Sequence, residues 1–166
     1  MMRCMSQEKR LTHLDAQGRL SMVDVSGKPE TERVAIARAR LLASDETVEA
    51  IWSGGLEKGE ALAAARIAGI LAAKRTGDLI PLCHPIPLTR VDVRFARGPG
   101  GIDIEAEARC VGRTGVEMEA LVAASMAGLT IYDMAKAAER GMTLEAVRLV
   151  EKRGGKSGTW RREGEG

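Results

Sequence analysis

Apolar and polar positions change period several times along the chain, and each change predicts an element. Ser21–Ser26 alternates Met22, Val23 and Val25 around Asp24, a weak strand signal. From Thr31, which suits an N-cap, Val34, Ile36, Ala37, Leu41 and Leu42 supply apolar spacing that predicts a helix. Asp45 suits the cap of a short helix through Trp52, which Gly54-Gly55 stops. A stronger helical pattern opens near Gly59 with Leu62, Ala65, Ile67, Ala68, Ile70, Leu71 and Ala72, and closes on Lys74, Arg75 and Gly77. Asp78–Leu88 holds prolines at 81, 85 and 87 and cannot be regular helix. Arg90–Phe95 and Ile102–Val111 then alternate with period two on either side of Gly98-Pro99-Gly100-Gly101, which predicts a half-buried antiparallel hairpin. A long helix follows from about Val116 to Arg140 with Gly141 as its stop, and Leu144–Lys152 reads as a last strand. Strands and helices mix without strict alternation, so the expected class is α+β, with an antiparallel sheet packed against helices. Residues 1–10 read as a flexible lead-in, 11–153 as a single domain and 154–166 as a mobile, Gly-rich tail.

Composition narrows the function classes. The chain of 166 residues has one Phe, one Tyr and two Trp, so its core is built from Ala, Leu, Ile, Val and Met. Such side chains bury little area each, which favours oligomerisation. Lys and Arg exceed Asp and Glu by 25 − 23 = +2, which gives no support to nucleic-acid or membrane binding. Three cysteines, Cys4, Cys83 and Cys110, are an odd number and predict no disulfide framework. No apolar run approaches the ~20 residues of a membrane span. The charged N-terminus lacks the apolar stretch of a signal peptide, so a cytoplasmic protein is expected.

Candidate chemistry starts at Pro81-Leu82-Cys83-His84-Pro85. The prolines stiffen the loop, and a stiff loop presenting an imidazole suits binding or acid–base work. A packed, hydrogen-bonded loop histidine is the plainer reading. For Cys83 a small buried side chain is favoured, because neighbours in an extended chain point to opposite sides and no metal-ligand spacing is present. Glu117-Met118-Glu119 opens the long helix, where carboxylates suit the helix dipole; substrate binding or proton transfer is the functional reading of the same residues. Asp133 and Lys136 share a helix face at i and i+3, where a surface ion pair is the plainer reading; yet they interrupt an apolar stretch, and a polar pair on a buried face is costly unless used. Glu119 and Asp133 lie 133 − 119 = 14 positions apart, roughly 21 Å along a straight helix. Either the ligand is long, the helix bends, or two chains share each site. Gly154-Gly155-Lys156-Ser157-Gly158 lacks the remaining glycine and the following helix of a phosphate loop, but its backbone and Lys156 could hold an anion. Lys58 and Lys74 are further anion candidates.

Taken together, several segments resemble one family, the molybdenum cofactor biosynthesis protein C family or cyclic pyranopterin monophosphate synthases. They are Leu11-Thr12-His13, Met22–Ser26, Ala65–Ile70, Ala73–Thr76, Asp78–Pro85, Thr114–Leu121, Leu129–Met134 and Gly154–Gly158, in family order. The resemblance implies a ferredoxin-like fold and a homohexamer, a trimer of dimers with sites at the dimer interface. It also implies conversion of 3′,8-cyclo-7,8-dihydroguanosine 5′-triphosphate to cyclic pyranopterin monophosphate with loss of pyrophosphate. Carried over by position, Asp133 is the implied acid/base, with Lys136 and Lys58 beside it. Leu82, Cys83, His84, Glu117, Met118, Glu119, Lys74 and Lys156 are the implied substrate contacts. The segment Trp52–Gly59 departs from the family pattern. No cofactor is implied; Mg2+ accompanying the triphosphate is the one metal the reading allows. A ferredoxin-like module that only binds a small ligand, and a purely structural oligomer, are the rival readings.

Overall fold

Thr31–Leu42 forms a strand, β1, where a helix was expected. Ala35, Ala37, Ala39 and Leu41 are buried at every second position, while Arg38 and Arg40 between them face the other way. The helical preference of Ala, Arg and Leu yields because β1 is hydrogen-bonded on both sides, and tertiary pairing overrides local propensity. The computed structural model describes residues 17–165. After β1 come α1 (Asp45–Ser53), α2 (Ala61–Lys74), the single turn α3 (Thr76–Leu79), β2 (Leu88–Gly98), β3 (Gly101–Gly112), α4 (Glu117–Ala135), β4 (Thr143–Arg153) and β5 (Trp160–Arg161). The lead-in at 1–10, Cys4 and Leu11-Thr12-His13 lie outside the described residues. Among the described residues no helix is long and apolar enough to cross a membrane.

The sheet runs β2-β3-β1-β4-β5, with all pairs antiparallel. With β5 set aside, this is the ferredoxin-like order, in which two strands that are not neighbours in sequence, β1 and β3, form the centre. The predicted hairpin closes through Gly98 opposite Gly101. β3 is more than half-buried, because it is interior to the sheet: Ile102, Ile104, Ala106, Ala108 and Cys110 all lie in the core.

α2 and α4 cover one face of this sheet. Ala120, Ala123, Ala124, Ala127 and Ile131 of α4 are fully buried, and their small size lets the backbones approach. The two helices touch at Gly69 of α2, where an added Cβ would meet Ala123 O of α4 at 2.9 Å and Val93 Cγ2 at 3.1 Å. A backbone oxygen cannot rotate aside. Gly69→Val is therefore expected to destabilise the fold by about 2 kcal/mol or more, read as a lower urea midpoint.

The other face carries charge. Arg38 pairs with Glu105 at 2.8 Å and Arg40 with Asp103 at 2.7 Å, each directly across the β1–β3 ladder. Arg109 sits 2.6 Å from Glu107, whose buried carboxyl it holds below the usual range.

Four boundaries differ from expectation. Ser21–Ser26 forms no strand; the Asp24 carboxylate accepts from the Ser26 amide at 2.9 Å and from its hydroxyl at 2.6 Å, which turns the chain. Ser44, not Asp45, caps α1: its hydroxyl accepts from the Thr47 amide. α4 stops at Ala135 rather than Arg140; in the turn beyond it, Glu139 accepts from Ser44 N at 3.0 Å and Oγ at 2.9 Å. In the residues after β4, Trp160 and Arg161 add a short strand opposite Lys152 and Glu151.

Candidate active site

The start of α4, the loop after α3 and the turn-containing segment at 23–28 line a cleft of about 480 Å³. Leu82, Cys83, His84, Glu117, Met118 and Glu119 all line it. Cys83 and His84 reach the same cleft although neighbours in an extended chain would diverge, because the Cys83 amide donates to Ile80 O at 3.0 Å and bends the loop. Val23 and Val25 form an apolar wall opposite.

Glu119 is the unusual group. Helix-dipole reasoning makes it an ordinary first-turn carboxylate, but it is 3% exposed. Burial pushes its pKa up to about 7, and the nearby Glu117 charge adds to the rise. It therefore exchanges a proton near neutrality. Burial, with Glu119 nearby, also pushes the Cys83 thiol up, so Cys83 is a neutral wall and not a thiolate nucleophile.

A second cavity of about 520 Å³ opens from the first through the shared Lys28, Thr114, Gly115 and Glu117. Arg33, Arg113, Lys152, Arg153 and Lys156 line it with Lys28. Gly154 and Gly155 shape its rim with φ of 98° and 73°, in the left-handed region that favours glycine. A Cβ on Gly154 would strike Glu32 O at 2.1 Å. Lys156 was foreseen here; Lys28, Arg33, Arg113, Lys152 and Arg153 were not. The run Lys152-Arg153 directly before Gly154-Gly155-Lys156 was the available signal. Arg33 arrives from β1, which no local pattern could show.

The third group lies at the far end of α4. Lys58 Nζ donates to Asp133 Oδ2 and to Asp133 O, both at 2.9 Å, and Lys136 Nζ donates to Asp133 Oδ1 at 2.6 Å. Lys58 thus joins the pair across 75 residues despite the atypical loop that carries it. The expectation of a buried polar pair is corrected: the Asp133 and Lys136 side chains are 56% and 50% exposed, at the helix terminus. The hydrogen bonds from Lys136 and Lys58 hold the Asp133 carboxyl down at about 2, and Asp133 in turn raises Lys136. Lys136 is a firmly protonated donor, and Asp133 a standing carboxylate.

Lys74 joins none of these groups. It lines a shallow depression with Ile70, Leu88 and Arg90 beside β2. Among the described residues no group of three or more His, Cys, Asp or Glu side chains is placed to hold a metal ion.

Residues 22–155 match the MoaC family. A cyclic pyranopterin monophosphate synthase of Novosphingobium aromaticivorans is 62% identical over 91% of this chain and 96% of its own length. Proteins of the same name from Thermomicrobium roseum and Chloroflexus aggregans are 57% and 55% identical, over 92% and 93% of this chain and 93% and 94% of theirs. The matched span contains the cleft loop, the whole of α4 and the Gly154-Gly155 rim, so the chain belongs to the MoaC family.

Proposed function

We propose that this protein is a cyclic pyranopterin monophosphate synthase, a lyase of molybdenum cofactor biosynthesis. It takes 3′,8-cyclo-7,8-dihydroguanosine 5′-triphosphate to the cyclic monophosphate with release of pyrophosphate. The observation that carries the reading is the union of an apolar cleft holding a buried carboxyl with a cavity lined by Lys28, Arg33, Arg113, Lys152, Arg153 and Lys156. The two suit a ligand with a ring system at one end and a polyphosphate at the other.

Closing the cyclic phosphate forms one P–O bond from a sugar hydroxyl and breaks the P–O bond to pyrophosphate. The cations neutralise the departing charge without taking part covalently. Met118 and Leu82 pack on the ring system, His84 and Glu119 hold its polar edge, and Glu119 passes a proton at neutral pH. Lys136 donates, and Asp133 orients it and stabilises positive charge. No redox cofactor enters this scheme, and Mg2+ would enter with the triphosphate.

The two ends of α4 are too far apart to act on one small ring system within one chain, so the reading places Asp133, Lys136 and Lys58 of one protomer at the cleft of another. It extends to a homohexamer, a trimer of dimers. The exposed Ile67, Leu71 and Leu129 on the outer side of α2 and α4 supply apolar surface that such assembly would cover. Cys83 and Cys110 are free thiols, in keeping with a cytoplasmic protein.

Inorganic pyrophosphate should inhibit competitively with the triphosphate substrate. Lys156→Ala should raise KM and the pyrophosphate inhibition constant together, each by about tenfold. Ligand binding without pyrophosphate release would instead favour a non-catalytic binding module.

A further inference from the structure

Arg38 of β1 and Arg148 of β4 face each other directly across the sheet. Like charges in that relation repel. A register shift in the β1–β4 ladder between Arg38 and Arg40 brings them opposite, and Ala146 within the irregular stretch of β4 has a φ of 52°. Arg148 Nη1 donates to Ala146 O at 2.8 Å, which fixes the guanidinium. Arg38 already pairs with Glu105 through Nε and Nη2; the anion that bridges the two arginines is Glu165. One carboxylate oxygen bonds Arg148 Nε, and the other lies 3.0 Å from Arg38 Nη1. Its side chain is 13% exposed.

Glu165 is tied to the anion cavity by the backbone. Gly154–Thr159 is the loop of a hairpin between β4 and β5, with Lys156 in it. Its near end is pinned where Gly154 abuts Glu32 O and Gly155 abuts the Arg33 guanidinium. Its far end has a two-residue strand, supported by Arg162 N donating to Val150 O at 2.8 Å, Arg162 Nε to Leu149 O at 2.8 Å and Arg161 Nε to Glu151 Oε2 at 3.1 Å. So short a ladder is marginal alone. We propose that Glu165 is a positioning residue: by clamping the returning segment to Arg38 and Arg148, it closes the hairpin and holds Lys156 over the polyphosphate cavity.

This inference rests on the reading that Lys156 holds the substrate's phosphates. Its test compares the full chain with Glu165→Gln and Glu165→Asp, by amide hydrogen exchange over residues 154–161 and by steady-state kinetics with the triphosphate substrate. In Glu165→Gln, exchange and KM should both rise about threefold to tenfold while kcat stays within about twofold. Glu165→Asp, which keeps the charge, should recover most of both. Unchanged exchange and KM in Glu165→Gln would overturn the clamp. So would a fall in kcat and melting temperature that Glu165→Asp does not reverse, since that would show a general structural role. Lys156→Ala tells the two readings apart. A raised KM there with an unmoved Glu165→Gln sinks the clamp alone, whereas an unmoved Lys156→Ala sinks the phosphate reading beneath it.

Discussion

Asp133→Asn is expected to fold normally and to lose turnover by about a thousandfold. Both carboxylate oxygens accept from ammonium groups, Oδ1 from Lys136 and Oδ2 from Lys58. An asparagine can satisfy one of them and must turn its own NH2 donor toward the other. Lys58 keeps the Asp133 backbone carbonyl as an acceptor, but the carboxylate charge that holds both ammonium groups in place is gone, and Lys136 has no second acceptor among the described residues to replace it. Because the carboxylate is largely exposed, the fold should hardly notice, and the melting temperature should move by a few degrees at most. Unchanged circular dichroism beside a collapsed kcat is the expected pair of results. A kcat within about threefold of the parent would remove Asp133 from the chemistry.

Mixing two inactive variants should restore activity. His84→Ala damages the cleft and Asp133→Asn the lysine-bound carboxylate, at opposite ends of α4. If each site joins the cleft of one protomer to the Asp133 of another, a mixed dimer holds one doubly damaged site and one intact site. Random pairing of equal amounts makes half the dimers mixed, so about a quarter of the parent activity should return. Each variant alone should stay inactive at the same total concentration. A mixture no more active than its components, once exchange of subunits has been verified by mass spectrometry, would place both halves of the site in one chain.

Local chemistry was legible and long-range placement was not. Arg90–Val111 announced its hairpin through period-two alternation and a glycine turn, signals contained within the segment itself. The Pro81–Pro85 loop and the Gly154-Gly155-Lys156 run were visible for the same reason. Thr31–Leu42 misled because Ala, Arg and Leu favour helix, and only the strands on both sides, from far along the chain, decide otherwise. Its alternation of Ala35, Ala37, Ala39 and Leu41 with Arg38 and Arg40 was present in the letters but competed with a helical spacing of equal quality. Glu119 was found as a residue and misjudged as an environment, because burial under a loop from another part of the chain cannot be read from its neighbours. The same holds for Arg33, which enters the anion cavity from the start of β1. Lys58, in the least typical segment, could be tied to Asp133 geometrically only once the helices were docked.

The link between Glu139 and Ser44 bears on how the far end of α4 behaves. From Asp133 the chain runs through Lys136 to Glu139, crosses by hydrogen bonds to Ser44, follows α1, and returns through Lys58 to the carboxylate where it began. The path is a closed ring with no free end. The three charges of Lys58, Asp133 and Lys136 are thereby tied to one another through two routes along the chain. In the proposed assembly, a subunit docking against them would meet an arrangement already tied together, and part of the entropy of ordering those side chains would have been surrendered during folding rather than at assembly.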